Sequence, residues 1–453
     1  MKLKNKKITV IGLGKSGFAA AKFLLAQKAE VRVTDGSDKM EVLENAGYLR
    51  SAGARVETGG HTLKFLAGAQ MMVTSPGVSK ESLPLVFARR KKIPVISEIE
   101  LAYYFCPGFI VAVTGSNGKT TTCNLIHRLL VDSGKHSVLC GNVGYSFLDA
   151  VAGVGPESIV VLELSSFQLE DSPSFRPEVA VVLNISPNHL DRHKTLENYT
   201  RAKEMIFRNQ KAGDHLILNY DDAVVRAMAK KTKSTVFFYS LEPSSNGLFF
   251  ENHTLRLKRG KSEKIILDTA GFQLKGAHNL QNIMAAAAAG ILLKISPEKM
   301  QKSLNGFRTL EHRIEPLGQV RGVHFVNDSK STTVESTRAA ILSVDSPVVL
   351  VAGGRDKGAP FAEIENLIRE KVRKTILYGE AREKIAAAWP NLSGIQTEKD
   401  FHQAVRLAYE EARPGDTVLL SPMCASFDQF SSYEHRGEIF KKVFRELEKQ
   451  WNP

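Results

Sequence analysis

The segment VAVTGSNGKTTTCNLIHRLL, residues 111–130, passes from a β-branched apolar run through a glycine turn into a stretch with helical apolar spacing. A strand that enters a helix in this way leaves little choice of architecture. The strand has to be buried on both faces of a parallel sheet, and the helix has to pack back across it. Gly115 and Gly118 let backbone N–H groups turn toward a phosphate, and the following helix points its positive end at the same place. Lys119 adds a mobile cation for β- and γ-phosphates, and the Thr120 hydroxyl is a magnesium ligand by type. Gly115, Ser116, Asn117, Gly118, Lys119, Thr120 and Thr121 are therefore the candidate ATP-binding loop. Its spacing is a variant, because the glycine expected five residues before Gly118 is replaced by Val113. A ligand-free glycine turn is the plain alternative.

The same alternation fills the chain. KITVIGLG, EVRVTD and MMVTSPG read as strands of a small parallel sheet. Gly12, Gly14 and Gly17 have G-x-G-x-x-G spacing, with Asp35 ending the second strand; this suits an NAD(P)-dependent dehydrogenase, although any pyrophosphate could use the turn. SIVVLELSS and EVAVVLNIS are too apolar for surface strands and read as central parallel ones. Between about Lys230 and Lys275, TVFFYS, GLFFENHTLRL and EKIILD alternate and are separated by turn residues, which predicts a small antiparallel appendage. An alanine-rich helix from about Asn279 follows. VHFVND, PVVLVAGG, KTILYG and DTVLLSP, separated by helical patterns, predict another doubly wound sheet.

At 453 residues the chain suits three domains. The expected fold is α/β: an N-terminal Rossmann-like sheet over 1–97, a central P-loop ATPase-type parallel sheet with its appendage over 98–309, and a C-terminal Rossmann-like doubly wound sheet over 310–453. Apolar content of 43% and charged content of 24% are those of a globular protein. No apolar run has membrane-spanning length, and Lys15 and the glycines interrupt what would be the apolar part of a signal peptide. Cys106, Cys123, Cys140 and Cys424 form no C-x-x-C pair, so neither a disulfide frame nor a zinc site is indicated, and a cytoplasmic location is expected. The net charge of +13 attracts anions. The basic residues are scattered without an arm or an aromatic repeat, which favours small phosphorylated substrates over nucleic acid.

Three further side chains stand out. Glu163 ends an apolar strand, where a carboxylate is costly unless it meets a cation; a magnesium ion and a nearby Lys or Arg both qualify. His189, in NISPNHLDRH, follows another central strand, at the end where open α/β sheets bind ligands; a solvated turn residue is the plain alternative. Lys203 shares the apolar stripe of Leu196, Tyr199 and Ile206, so its ammonium either snorkels out or points into a site.

Taken together, TGSNGKTT, ELSSFQLE, LEHRIE, NDSKSTT and LLSPMCASFDQFSSYEHRG resemble the motifs of the Mur ligases, ATP-dependent amide-forming enzymes of peptidoglycan precursor synthesis, over nearly the whole chain. The resemblance is nearest to the members that add D-glutamate to UDP-N-acetylmuramoyl-L-alanine, since no Asp-Asn-Pro-Arg motif of the diamino-acid-adding kind is present. It implies that Gly14, Ser16, Asp35, Ser75 and Gly77 hold the UDP group, and that Asn142, Ser165 and Gln168 line the muramoyl end. Asn279 and Asn282 would face adenine, with Arg313 and Asp328 reaching the nucleotide. Thr332, Lys357, Ser426 and Tyr433 would fix D-glutamate.

The resemblance implies two magnesium sites, one at Thr120 and Glu163 and one at His189 and Lys203, with Lys203 carrying a CO2-derived carbamate; Lys119, Glu163, His189 and Lys203 form the catalytic set. A monomer without membrane insertion or nucleic-acid partner is expected. The competing readings are a folylpolyglutamate-type ligase, the dehydrogenase, which has no use for Lys119 and Glu163, and a nucleic-acid ATPase, which has none for the N-terminal glycine turn.

Overall fold

The computed structural model describes residues 1–453 apart from Val143, Gly144, His189, Ser244, Ser245, Lys275, Arg308, Thr309, Leu310, Asp345, Lys357, Asn452 and Pro453. The chain forms two compact units, Met1–Gly271 with Gln281–Asn305, and Phe272–Leu280 with Gly306–Pro453.

The first unit holds two sheets. Strands β1 (Lys7–Ile11), β2 (Glu30–Thr34), β3 (Arg55–Glu57), β4 (Met71–Thr74) and β5 (Val95–Ser97) lie in the order β3-β2-β1-β4-β5 and are all parallel. The strand order reverses beside β1, so a crevice opens past the carboxyl ends of β1 and β4.

The larger sheet contains β6 (Phe109–Thr114), β7 (Ser137–Gly141), β8 (Ile159–Glu163), β9 (Val179–Val182), β10 (His215–Asn219), β11 (Thr235–Ser240), β12 (Gly247–Glu251), β13 (Thr254–Arg259) and β14 (Ser262–Asp268). Its order is β14-β13-β12-β11-β10-β9-β6-β8-β7. Strands β6 to β12 pair in parallel, and VAVV of β9 is buried throughout. Apolar residues of both sheets share one continuous core.

The stretch read as an appendage is the outer edge of this sheet. TVFFYS is a parallel strand of it, and GLFFENHTLRL folds back between β12 and β13. Asn252 and His253 make that turn with φ of 48° and 58°, the left-handed pair a tight hairpin requires. Edge strand β14 exposes Ser262 to Ile265, and charged Glu263 and Lys264 guard it against further pairing.

In the second unit β15 (Glu315–Val320), β16 (Val323–Asn327), β17 (Val348–Gly353), β18 (Val372–Tyr378), β19 (Ile395–Glu398) and β20 (Thr417–Met423) take the order β15-β16-β20-β17-β18-β19. Only β15 is antiparallel. Strand β17 shows why an unbroken apolar run is needed here: Val349 and Val351 enter one core layer, while Val348, Leu350 and Ala352 enter the other. Among the described residues no helix is long and apolar enough to cross a membrane.

Candidate active site

The phosphate loop leaves β6 at its carboxyl end, between β9 and β8. Register sets Val113 opposite Glu163 and Thr114 opposite Val182, so whatever ends β8 and β9 flanks the loop. Gly118 is left-handed, with φ of 81°, and a Cβ on it would lie 2.2 Å from Asn282 Oδ1. The helix Lys119–Asp132 starts from that glycine. Asn282 also accepts from the Thr122 hydroxyl at 3.3 Å, tying the alanine-rich helix Ala277–Leu292 to the loop. Lys119 folds back over the turn, its Nζ donating to the Gly115 and Ser116 carbonyls at 2.9 and 2.8 Å. Asn117 exchanges two hydrogen bonds with the Asn184 side chain, and Ser116 Oγ lies 3.1 Å from the Tyr199 hydroxyl.

Glu163 is buried. Its Oε1 accepts from Asn142 Nδ2 at 2.9 Å, and its Oε2 has no hydrogen-bond partner among the described residues. An ionised oxygen left in that state costs several kcal/mol, roughly, which makes it a position for a cation. Lys203 is 1% exposed, so it points inward and does not snorkel. The reason is local: Thr195 caps the helix Leu196–Glu204 and turns the face carrying Tyr199 and Lys203 into the protein. Lys203 Nζ donates to the Gly115 carbonyl at 2.8 Å and to Thr114 Oγ1 at 3.3 Å, 4.7 Å from the centre of the Tyr199 ring. Burial, then the Lys119 charge, push its pKa well below the ordinary lysine value, with Glu163 opposing them.

By type, these donors suit a divalent cation. They are the buried Glu163 oxygen, the Thr120 hydroxyl at the start of the loop helix, and a lysine amine whose surroundings favour the neutral form. His189, assigned to the same task, lies outside the described residues.

Around the first sheet, Gly14, Ser16, Asp35, Ser75 and Gly77 line a cavity of about 490 Å³ at the carboxyl ends of β1, β2 and β4. Asp35 has both oxygens engaged, by the Leu13 N–H at 2.6 Å and the Ser37 N–H at 2.8 Å. Arg192 donates to the carbonyl of Pro76, another lining residue, at 2.7 Å. The muramoyl-end residues are engaged by other side chains. Asn142 holds Glu163, while Ser165 and Gln168 form a capping box, and Gln168 Nε2 donates to Glu98 at 3.0 Å.

In the second unit Asp328 is buried, accepting from Ser421 Oγ at 2.8 Å and the Ile314 N–H at 3.2 Å. Burial pushes its pKa up to about 6, against the Ser331 and Ser421 hydrogen bonds and the Arg313 charge. Tyr433 opens the last helix, and the Lys330 ammonium sits 3.7 Å from its ring centre. Ser426 is buried after β20, and Thr332 is half-buried one residue before the Thr333 cap. Asn279 is buried on its helix, and Lys357 lies outside the described residues.

Sequence reasoning missed Asn184, Glu98 and His193, whose Nε2 lies 2.9 Å from Ser166 Oγ and whose Nδ1 faces Glu170 at 3.4 Å. Asn184 had a signal, a polar residue closing a buried strand; the others had none.

Fold and loop together define a phosphate-loop α/β protein with a separate nucleotide-sized cavity. Comparison with known proteins narrows this. Residues 6–97 match the Mur ligase MurD-like N-terminal domain, 113–290 the Mur ligase middle domain and 312–424 the Mur ligase glutamate ligase domain. The chain is 42% identical over 451 residues to a UDP-N-acetylmuramoylalanine--D-glutamate ligase of Koribacter versatilis, covering 99% of both chains. It is 40% identical to one of Geotalea daltonii, again over 99% of each. Among solved structures, MurF from Acinetobacter baumannii shares the fold with a TM-score of 0.64 at 16% identity, over 96% of this chain and 93% of that one. UDP-N-acetylmuramate-alanine ligase MurC from Thermotoga maritima does so with 0.61 at 16%, over 97% and 99%. The chain belongs to the Mur ligase family.

Proposed function

We propose that the chain joins D-glutamate to UDP-N-acetylmuramoyl-L-alanine with hydrolysis of ATP to ADP and phosphate, in the synthesis of peptidoglycan precursors. The observation that carries this reading is the near-complete alignment with relatives bearing that activity in their names. A carboxylate is a poor acyl donor because its oxygen leaves badly. In the proposed sequence the L-alanyl carboxylate attacks the γ-phosphorus, ADP departs, and the acyl phosphate has phosphate as a good leaving group. The D-glutamate amine then attacks the carbonyl carbon, loses a proton, and the tetrahedral intermediate expels phosphate.

The first step brings an anion to a polyanion, so preorganised positive charge is the main requirement. Lys119 swings from the loop carbonyls to the γ-phosphate. Thr120 and Glu163 would hold one magnesium ion, and His189 and Lys203 a second; the metal supplies charge neutralisation. An ammonium cannot ligate magnesium. The neutral Lys203 amine adds to the carbon of CO2 and gives up a proton, and the resulting carbamate offers two oxygens. The nucleotide sugar occupies the cavity at Gly14, Ser16, Asp35, Ser75 and Gly77, and its acyl end passes Asn142, Ser165 and Gln168. Asn279, Asn282, Arg313 and Asp328 serve ATP. Thr332, Lys357, Ser426 and Tyr433 suit an amino acid with two carboxylates, and a diamino acid would leave an ammonium unpaired beside Lys357.

Phosphate release with UDP-N-acetylmuramoyl-L-alanine and ATP tests this across a panel of amino acids. D-glutamate is expected to support turnover far above L-glutamate, lysine or diaminopimelate. Faster release with a diamino acid moves the chain to a sister activity of the family.

A further inference from the structure

Glu98 opens the helix Glu98–Tyr103, is buried, and is used by nothing in the mechanism above. One of its oxygens, Oε1, accepts from both Ser16 Oγ at 3.2 Å and Gln168 Nε2 at 3.0 Å. The other, Oε2, is buried without a hydrogen-bond partner among the described residues. Ser16 lines the cavity beyond the glycine turn, so Glu98 stands behind that wall. While the carboxylate holds the Ser16 hydrogen, the hydroxyl turns lone pairs to the cavity, and a phosphate arriving there meets them and a buried negative charge.

We propose that Glu98 takes up one proton when an anionic nucleotide fills this cavity, and so releases the Ser16 hydroxyl to the ligand. The proton comes from solvent and adds to Oε1. That O–H then donates to Ser16 Oγ while its oxygen still accepts from Gln168, and Ser16 rotates to donate to a phosphate oxygen. No bond of the ligand changes. Glu98 is thus a positioning residue, one step removed from the substrate.

The neighbours favour this exchange. Burial first raises the Glu98 pKa above the usual carboxylate range, the Gln168 and Ser16 hydrogen bonds oppose it, and Asp149 adds to it. Asp149 is paired with Lys22 of the helix Lys15–Ala26 at 3.6 Å. Cys140 of β7, which feels the Glu98 charge, is held neutral by burial, and Lys15 lines the cavity itself.

The inference rests on the reading that UDP binds in this cavity, and calorimetry with UDP tests both. For the wild type, Kd is expected to weaken by up to about tenfold per pH unit above the free-state pKa of Glu98, with proton uptake revealed by buffers of different ionisation enthalpy. Glu98→Gln cannot be protonated, so its uptake is expected to vanish, and its UDP affinity at pH 8 to exceed that of the wild type. A wild type that fails to bind UDP removes the cavity reading and this inference with it. UDP binding in which Glu98→Gln retains the wild-type proton uptake, or binds UDP no tighter at pH 8, overturns the inference and leaves the cavity reading standing. A purely structural Glu98 gives that second result.

Discussion

Two glycine turns in the first unit use one backbone device for different ends. Each leaves a central parallel strand beside a reversal of strand order and runs into a helix: Gly12 to Gly17 after β1, Gly115 to Gly118 after β6. Their surroundings differ in how charge is placed: Glu98 stands behind the wall of the first, one of its oxygens without a hydrogen-bond partner among the described residues, whereas two lysines gather at the second. Beside the first turn Asp35 has both oxygens engaged by backbone N–H groups, so the cavity there offers shape and hydrogen bonds. Beside the second turn Glu163 keeps a buried oxygen without a hydrogen-bond partner among the described residues, and Lys119 and Lys203 both bond to the Gly115 carbonyl. A strand-turn-helix can hold a phosphate by its backbone alone; the two lysines gathered beside a buried carboxylate are what suit the second turn to phosphoryl transfer. The first is built to hold.

The comparison is broken most severely at Lys203. Lys203→Ala is expected to bring phosphate release close to the detection limit while UDP binding at the first turn stays normal. Lys203→Arg should not restore turnover, because a guanidinium supplies no oxygen. A short carboxylic acid added to Lys203→Ala should recover part of the rate by filling the vacated oxygen positions. Partial activity in the arginine variant with no carboxylate rescue would return Lys203 to a plain cationic role.

Lys119→Ala comes next. Removing one preorganised cation should lower kcat by roughly 10²–10³-fold, with a normal thermal transition, since Lys119 is only half-buried and its loss opens no apolar core. UDP titration of the same variant separates the turns, and a large loss of UDP affinity would show that they do not act independently. Near-normal phosphate release would remove the loop from the chemistry.

Both turns were legible in the sequence because the information is local: glycine spacing, a following helix and an apolar strand all lie within about twenty residues. What surrounds them was not. Asn282, which closes on Gly118, also takes the hydroxyl of Thr122 from 160 residues away, and Glu98 meets Gln168 across 70. Lys203 was visible as an oddity in an apolar stripe, but two directions remained open until its helix was seated. TVFFYS alternates like a half-buried strand of an antiparallel piece, yet it pairs in parallel inside the large sheet. Pairing partners are chosen by tertiary packing, which period-2 alternation does not encode.

The finest test lies within the first turn. At Gly17 a Cβ would stand 1.8 Å from the Gly12 carbonyl oxygen, so Gly17→Ala forces helix and turn apart and should destabilise the unit by roughly 1–3 kcal/mol. Gly14 looks equivalent in the motif and is not. Its φ of −73° suits any residue, and a Cβ there meets nothing within 4 Å. Gly14→Ala should therefore change stability by no more than about 0.5 kcal/mol. Yet Gly14 lines the cavity, where an added methyl stands between the turn and any phosphate drawn to the helix start. UDP affinity should fall in Gly14→Ala while the thermal transition stays in place, and Gly17→Ala should lose both. If Gly14→Ala binds UDP as well as the wild type, the nucleotide does not approach this turn closely, and the glycine spacing there serves helix packing alone.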